Sequence, residues 1–327
     1  MNKIFKVIWS KSKQCYVVVS EMAKNTTGKK KIVVASILAT LAMTTAVQDV
    51  NAVNGSGDRA GFSDGSSGVA FHSTQGLAIG LKNGDVTSAD GNVATVAVGA
   101  HSNAKGSSSV AIGGGSANGQ GSVALGWVSA TGNRAVALGG TDVTAANGDN
   151  AFAASGGVAT GTNTFAASGG VASQSNAIAI GSDTQSTGES AVALGKNTQA
   201  ESSNSIAVGT NAAASDSAAI AIGYDSKAGN TGTVAIGYGA NVTGYTSVAI
   251  GNSATATGGT SVVIGDGASS TVGLGTALGR GAKANHEGSV ALGAQSETSA
   301  ANSTSTMTVA GKSYTLAGGT ANGTVSI

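Results

Sequence analysis

The chain has 327 residues, of which 52 are Gly and none is Pro, and only 10% are charged and 4% aromatic. So few large apolar side chains exclude an ordinary thick globular core, and the 41% hydrophobic content, mostly Ala, Val and Ile, suits thin β layers. The net charge of +1 is unevenly distributed, because residues 1–52 hold eight Lys and two acidic residues. The remaining nine basic and 14 acidic residues give residues 53–327 a net charge of −5. This charge excludes a basic surface for binding nucleic acid.

Residues 1–52 are predicted to be an export signal. A basic cluster over 29–31 precedes an apolar run over 32–43, which is too short for a comfortable membrane-spanning helix, and the small residues that follow predict cleavage after Ala52. The opening MNKIFKVIWS adds a second basic and aromatic block and resembles the extended signal peptide region of Gram-negative type V secretion proteins; a basic start with chance aromatics is the alternative. The only cysteine, Cys15, lies here, so the body has no disulfide framework.

Sixteen tetrapeptides, most of the form apolar–Ala–apolar–Gly, follow in the body of the chain. They are spaced 13 or 14 residues apart except for two longer steps, and from Ile178 onward every step is 14. Repeats at a fixed short period are typical of a solenoid. The tetrapeptides begin at Leu77, Val96, Val110, Val123, Val136, Phe152, Phe165, Ile178, Val192, Ile206, Ile220, Val234, Val248, Val262, Thr276 and Val290.

Each tetrapeptide predicts a short β-strand. In Val192-Ala193-Leu194-Gly195 the two branched residues share one face of a strand, the Ala takes the other face, and the Gly suits a tight turn. A weaker second strand is predicted between tetrapeptides, as over 197–200 and 212–215. One unit is therefore one coil, and 16 coils stacked at about 4.8 Å predict a rod of roughly 75 Å.

Such a coil is expected to be too thin to be stable alone. We place the branched side chains inside the coil and the Ala-lined face outside, and we predict that this Ala-lined face is the contact surface between the subunits of an obligate oligomer. The spacing leaves the number of subunits open.

The body resembles the head domain of YadA-like trimeric autotransporter adhesins, where N-S-V-A-I-G and S-V-A-L-G repeats build the fold. Matching segments lie at 121–126, 176–181, 204–209 and 246–251, and the resemblance covers 77–295 closely. It implies an all-β fold, a left-handed parallel β-roll solenoid of 13–14-residue coils, assembled as an obligate homotrimer.

The predicted domains are an extended signal peptide over 1–52, a lead-in over 53–76, head repeats over 77–299 and a head–neck junction-like insertion over 300–327. Gly-, Asp- and Asn-rich insertions at 81–95 and 140–150 are expected to be protruding loops. A complete family member continues into a neck, a coiled-coil stalk and a membrane β-barrel. Because no heptad run or barrel strand occurs in these residues, we expect membrane attachment only through an anchor domain missing from them, and whether the chain is a fragment or a truncated product stays open.

Two units depart from the pattern, at 152–157 and 165–170, where Ala replaces the second branched residue and Ser replaces the closing Gly. Phe152 and Phe165 are expected to fill the volume of the missing side chains.

No catalytic, metal or cofactor site is predicted. His72, His101 and His286 lie far apart without metal-ligand spacing, and the carboxylates show no recurring pair. In some family members the tetrapeptide with its preceding Asn or Ser is implicated in collagen binding, but the full N-S-V-A-I-G form is absent here. The candidate ligand contacts are therefore its nearest match, Asn204, Ser205, Ile206, Ala207, Val208 and Gly209, together with Trp127, for which filling between coils is the alternative.

The resulting hypothesis is an exported adhesin head at the bacterial cell surface or outer membrane. Its expected partners are further copies of itself and host extracellular matrix proteins or cell-surface receptors, with autoaggregation as a related outcome. Two alternatives stay open: a solenoid enzyme acting on carbohydrate, which needs a cleft of carboxylates, and an ice-binding solenoid, which needs Thr in register. The residue before nearly every tetrapeptide is Ala, Ser or Thr without order, which disfavours ice binding.

Overall fold

The structure is a computed structural model. It describes residues 95–140 and 144–327 in full and, ahead of them, the backbone of six strands: Phe5–Ser10, Cys15–Ser20, Ala60–Ser63, Ser67–His72, Gly76–Leu81 and Ser88–Ala89. The predicted cleavage after Ala52 lies outside the described residues. Every element in the described part of the chain is a strand, so no helix there could span a membrane.

All 16 predicted tetrapeptides form strands, and these strands stack in parallel with one register. Leu77 pairs with Val96, and each later strand pairs with the next in the same way, first residue to first residue. A further strand, Val325–Ser326, joins the end of the stack. The strands of this sheet, called sheet 1, are Gly76–Leu81, Val96–Val98, Val110–Ile112, Val123–Leu125, Val136–Leu138, Phe152–Ala154, Phe165–Ala167, Ile178–Ile180, Val192–Leu194, Ile206–Val208, Ile220–Ile222, Val234–Ile236, Val248–Ile250, Val262–Ile264, Thr276–Leu278, Val290–Leu292 and Val325–Ser326.

The second strand also forms in every coil except the last, but it has two residues rather than the four predicted over 197–200 and 212–215. These strands make a second parallel stack, sheet 2, so each coil before the last contributes one strand to each sheet. The strands of sheet 2 are Ser88–Ala89, Asn103–Ala104, Ser116–Ala117, Ser129–Ala130, Ala145–Ala146, Val158–Ala159, Val171–Ala172, Gln185–Ser186, Gln199–Ala200, Ala213–Ala214, Lys227–Ala228, Asn241–Val242, Thr255–Ala256, Ser269–Ser270 and Lys283–Ala284.

The interior of the coil is lined by small residues. The sequence pattern predicts branched side chains inside and Ala outside, which is the reverse of the observed arrangement. The central Ala of the sheet 1 strands is closed to solvent, as at Ala207 and Ala221, whereas the branched residues on either side are half-buried or exposed. Two sheets joined by such short turns lie too close together for Val or Ile to interdigitate along the whole stack. The prediction of inward branched side chains was therefore wrong, and so was the prediction of an Ala-lined contact surface.

Buried hydroxyl groups complete the interior. Ser205 Oγ donates to Ser202 O at 2.6 Å, and Thr198 Oγ1 donates to the carbonyl of Gly209 in the next coil at 2.6 Å. Backbone carbonyls at the turns would otherwise be buried without partners, and each such bond contributes about 1 kcal/mol. A Ser or Thr immediately before a strand of either sheet thus satisfies backbone groups inside the coil.

In most regular coils the closing Gly of the tetrapeptide is required by the stacking of the coils. Gly209 has φ of +128°, and a Cβ added there would lie 2.5 Å from the carbonyl oxygen of Gly223 in the next coil. Any side chain would therefore meet both a strained backbone and a direct clash.

The opposite turn carries a ladder of asparagine side chains. Asn163 lies in the left-handed region, with φ of +57°, which Asn tolerates better than most residues. Asn150 Nδ2 donates to Asn163 Oδ1 at 2.9 Å, and Asn163 Nδ2 donates to Asn176 Oδ1 at 3.2 Å. Asn204 occupies the same turn position with φ of +59°.

The two predicted insertions are smaller than expected. Ala145–Ala146 pairs in parallel with Ser129–Ala130 and Val158–Ala159, so residues 144–150 form an ordinary half coil and the loop prediction is wrong for them. The loop prediction rested on a high content of Gly, Asn and Asp, but these residues are equally common in the regular turns of this solenoid. Ser88–Ala89 likewise belongs to sheet 2, whereas residues 82–87, 90–94 and 141–143 lie outside the described residues.

The ends of the stack differ from its middle. Ala60–Ser63 and Ser67–His72 form an antiparallel extension of sheet 1 that pairs with Gly76–Leu81 and occupies its outer edge. At the other end, Thr306–Val309 and Lys312–Thr315 form an antiparallel hairpin whose residues are all exposed. Phe5–Ser10 and Cys15–Ser20 also pair antiparallel.

Candidate functional site

The largest candidate site is the outward face of sheet 1, called the apolar face. It consists of the first and third residues of the strands from Val96–Val98 to Val290–Leu292, which form two columns along the rod. Ile222 is 37% exposed and Leu278 is 42% exposed, although both are large and apolar. Roughly thirty such side chains leave on the order of 1,000 Å² of apolar surface open, against ~300–600 Å² for the largest patch of a typical monomer.

The apolar face changes character at two adjacent coils. Phe152 and Phe165 occupy the first column there, with ring centroids 4.9 Å apart and an interplanar angle of 6°. Ala154 and Ala167 occupy the third-residue column beside them and are half-buried. The rings stack on each other along the rod, and Phe165 remains 36% exposed.

The six candidate ligand contacts in Asn204–Gly209 do not form one exposed surface. Ser205 and Ala207 are closed to solvent inside the coil, so the prediction of ligand contact is wrong for these two. Asn204 and Gly209 lie at the two turns, and Ile206 and Val208 lie on the apolar face. For these four residues ligand contact stays a prediction.

Trp127 lies at a turn and is 49% exposed. Its ring centroid is 5.1 Å from that of His101, with the planes inclined at 47°, and it covers Gly114, where an added Cβ would come within 2.9 Å of the indole. The ring therefore bridges neighbouring coils and still presents half its surface to solvent. Both interpretations made from the sequence are compatible with this placement, so ligand contact by Trp127 stays a prediction.

Tyrosines form two further aromatic features. Tyr224 and Tyr238 stack at 5.1 Å with an angle of 10°, and Tyr238 is 61% exposed. Tyr245, on the opposite turn, lies over Gly259. The sequence showed these residues but gave no means of pairing Tyr224 with Tyr238 until their coil positions were known.

Ionisable groups are sparse and scattered in the described part of the chain. Lys283 Nζ lies 3.9 Å from Glu297 Oε2 with both side chains about half exposed. Within residues 95–140 and 144–327 no three His, Cys, Asp or Glu side chains come close enough to hold a metal ion. His286 Nδ1 contacts the carbonyl oxygen of Thr298 at 3.1 Å, which is a structural contact between adjacent turns.

Comparison with protein-family models gives two matches. The extended signal peptide of the type V secretion system matches residues 1–48. The YadA head domain repeat, a model of two repeat copies, matches the stretches 93–116, 117–141, 186–212, 214–240, 243–268, 274–296 and 287–305. Residues 142–185, which include the two Phe coils, lie outside these stretches. No curated protein matches the chain.

The two matches agree with the coil geometry. An extended type V signal precedes a parallel solenoid whose register follows the head repeats, and the matched stretches span most of the described coils. The chain belongs to the YadA-like trimeric autotransporter adhesin family and is an exported protein of the bacterial outer-membrane surface.

Proposed function

We propose that the chain is the head of a surface adhesin, a left-handed parallel β-roll that acts as a homotrimer. It attaches the bacterium to host cells or extracellular matrix, or to other bacteria through the same heads. The observation that carries this proposal is the apolar face, which runs along the rod and is covered by none of the residues that the structure describes.

The apolar face supports assembly because its burial offers a large hydrophobic gain. Each coil interior holds mainly Ala, Ser and Thr, so one chain buries little apolar area against the entropy of ordering its backbone. Three copies turned toward a common axis would cover both columns of each face. The area available, on the order of 1,000 Å² per copy, is comparable with the ~800 Å² per partner of a standard stable interface.

The remaining surfaces support adhesion. The outward column of sheet 2 is mostly small or polar, as at Gln199, Ala213 and Lys227, and the turns repeat once per coil. A rigid rod of near-identical coils suits an extended partner that is bound through many weak contacts. We propose that Asn204 and Trp127 contribute to such contacts.

We propose no catalytic role for the chain. Asp183, Asp225 and Asp266 lie about three coils apart along one edge of the rod, so they form no carboxylate pair. An ice-binding role is disfavoured because the Ser and Thr row before the tetrapeptides, such as Ser205 and Thr233, faces the coil interior.

The test is a binding screen with the full chain, produced with its own export signal. The purified chain is applied to immobilised matrix proteins and to intact host cells, and bacterial clumping is scored in parallel. The matched control is Ile222→Lys/Ile236→Lys, which places two charges on the apolar face and replaces no residue of the turns or of sheet 2. We expect binding by the unaltered chain and at least a tenfold loss in the control, because avidity is lost with assembly.

Three results would contradict the proposal. Absence of binding and of clumping would remove the adhesin function. Cleavage of a glycan would favour the carbohydrate-acting enzyme, and thermal hysteresis would favour the ice-binding solenoid.

A further inference from the structure

Two adjacent coils exchange the sizes of their outward side chains. In the coils of Phe152–Ala154 and Phe165–Ala167 the first column carries Phe and the other column carries Ala. The coils on either side, Val136–Leu138 and Ile178–Ile180, carry a branched or Leu side chain in both columns. The two Phe rings stack at 4.9 Å, so they form one ridge two coils tall beside a recess of equal height.

The exchange conserves volume within each coil. Phe and Ala together have roughly eight side-chain carbon atoms, against roughly seven for the Val and Leu of a regular coil, and volume-conserving exchanges are the ones that packed interiors tolerate. A solvent-facing surface places no such limit on two separate columns. Because the summed side-chain volume is nearly unchanged in both Phe coils, we infer that the two columns pack into one shared space.

A ring of parallel copies supplies that shared space. Rotation about an axis parallel to the rods leaves every residue at its own height, and a rotational ring joins one side of each copy to the opposite side of the next. The first column of one copy then meets the third-residue column of its neighbour in the same coil. Ridge and recess lie on opposite columns of the same two coils, as this arrangement requires.

We propose that Phe152 and Phe165 of one copy insert into the recess at Ala154 and Ala167 of the neighbouring copy and lock the copies level with each other. The occupant of the recess is a second copy of this chain, so the inference rests on the proposed assembly and deepens it. Elsewhere the apolar face is nearly uniform, so neighbouring copies could slide by one coil with little change in packing. The ridge prevents this, because a slide drives Phe against Leu138 or Ile180.

Disulfide cross-linking tests the contact directly. The chain has a single cysteine, Cys15, within the predicted export signal, so the mature body provides a cysteine-free background. Chains carrying Phe165→Cys and chains carrying Ala167→Cys are co-expressed with different tags and oxidised. We expect a covalent species that carries both tags and no covalent species when either variant is expressed alone.

An offset pair is the matched control. Phe165→Cys co-expressed with Leu194→Cys separates the two cysteines by two coils, or about 10 Å along the rod, which is beyond the ~7 Å Cα limit of a disulfide. Val192→Cys with Leu194→Cys is a level pair in a regular coil and covers the case in which the Phe165 variant folds poorly. Linking by single variants, or by the offset pair as efficiently as by the level pairs, would overturn the proposal.

The locking role needs a second measurement. The quadruple variant F152V/A154I/F165V/A167I turns both Phe coils into regular coils. In this background and in the unaltered one, Val192→Cys is paired either with Leu194→Cys, which is level, or with Val208→Cys, one coil away. We expect the ratio of offset to level links to rise severalfold in the quadruple variant; an unchanged ratio would show that the ridge does not set the register.

Sedimentation separates this inference from the function on which it rests. If the chain is a trimer and the level pairs do not link, the ridge-and-recess contact is wrong and the assembly stands. If the chain is a monomer, both the proposed assembly and the proposed ridge-and-recess contact are wrong.

Discussion

The substitution Ala221→Leu tests which face of the sheet 1 strands is inside the coil. Ala221 is closed to solvent, and its register neighbours Ala207 and Ala235 are closed as well. The backbone around it is held by short bonds, including Ile220 N donating to Thr233 O at 2.8 Å. Three added carbons can be accommodated only by spreading the two sheets, so we expect the full cost of overpacking, about 3 kcal/mol of unfolding free energy.

The matched control for Ala221→Leu is Ile222→Leu, at the neighbouring position on the opposite face. It keeps side-chain volume and changes only the branching, so it should cost less than about 1 kcal/mol whether the residue faces solvent or another copy. Chemical denaturation of both variants is followed by circular dichroism. The shift of each midpoint is proportional to the change in unfolding free energy that the substitution causes. A midpoint for Ala221→Leu equal to that of the unaltered chain would refute the inward placement of the Ala column.

Three further predictions concern the turns and the C-terminal hairpin. Gly209→Ala should lower the free energy of unfolding by about 3 kcal/mol, because the added Cβ meets the carbonyl of Gly223 as well as an unfavourable φ. The control Gly267→Ala, with no atom within 4 Å of the new Cβ, should lower it by only about 1 kcal/mol. Equal losses in urea titration would contradict the clash at Gly209. Asn163→Ala removes two side-chain hydrogen bonds of the asparagine ladder and a residue suited to positive φ. Thermal unfolding should therefore show that the free energy of unfolding falls by about 1–2 kcal/mol. An unchanged free energy would show that the ladder does not contribute to stability. Replacing the exposed hairpin residues 306–315 with a short Gly-Ser turn should change the unfolding free energy by less than about 0.5 kcal/mol, and a larger loss in calorimetry would show that the hairpin packs on something.

The phase of the solenoid could be predicted from the sequence because the repeat marks it directly. A branched residue, an Ala, a second branched residue and a Gly recur at nearly constant spacing, and parallel stacking of identical coils brings equal positions together. Val192, Ile206 and Ile220 pair in that register. The strand positions, the shared face of the branched residues and the turn role of the Gly all follow from local geometry.

The facing of the strands could not be predicted from alternation alone. Alternation shows that Ile206 and Val208 share a face, but the side on which that face lies depends on the distance between the two sheets. A usable signal was nevertheless present: four positions in each coil, those of Ala207, Ala212, Ala214 and Ala219, are occupied throughout by small residues, with Val the largest. Positions that never hold a large side chain are the interior of a thin coil, whereas the largest side chains mark the outside.

The candidate contacts were harder to predict for the same reason. A motif such as Asn204–Gly209 includes residues that build the coil and residues that cover it, and only the coil position separates them. Ser205 bonds to a backbone carbonyl inside the coil, and Asn204 occupies a left-handed turn. The pairing of Phe152 with Phe165 required the structure, because it depends on two coils having the same register.

The mass of the purified chain in solution tests the central claim most directly. The apolar face predicts that sedimentation equilibrium gives three times the mass of one processed chain, and that sedimentation velocity gives the high frictional ratio of a rod of roughly 75 Å. The variant Ile222→Lys/Ile236→Lys should sediment as a single chain or fail to fold. A compact, stable monomer of the unaltered chain would contradict the account.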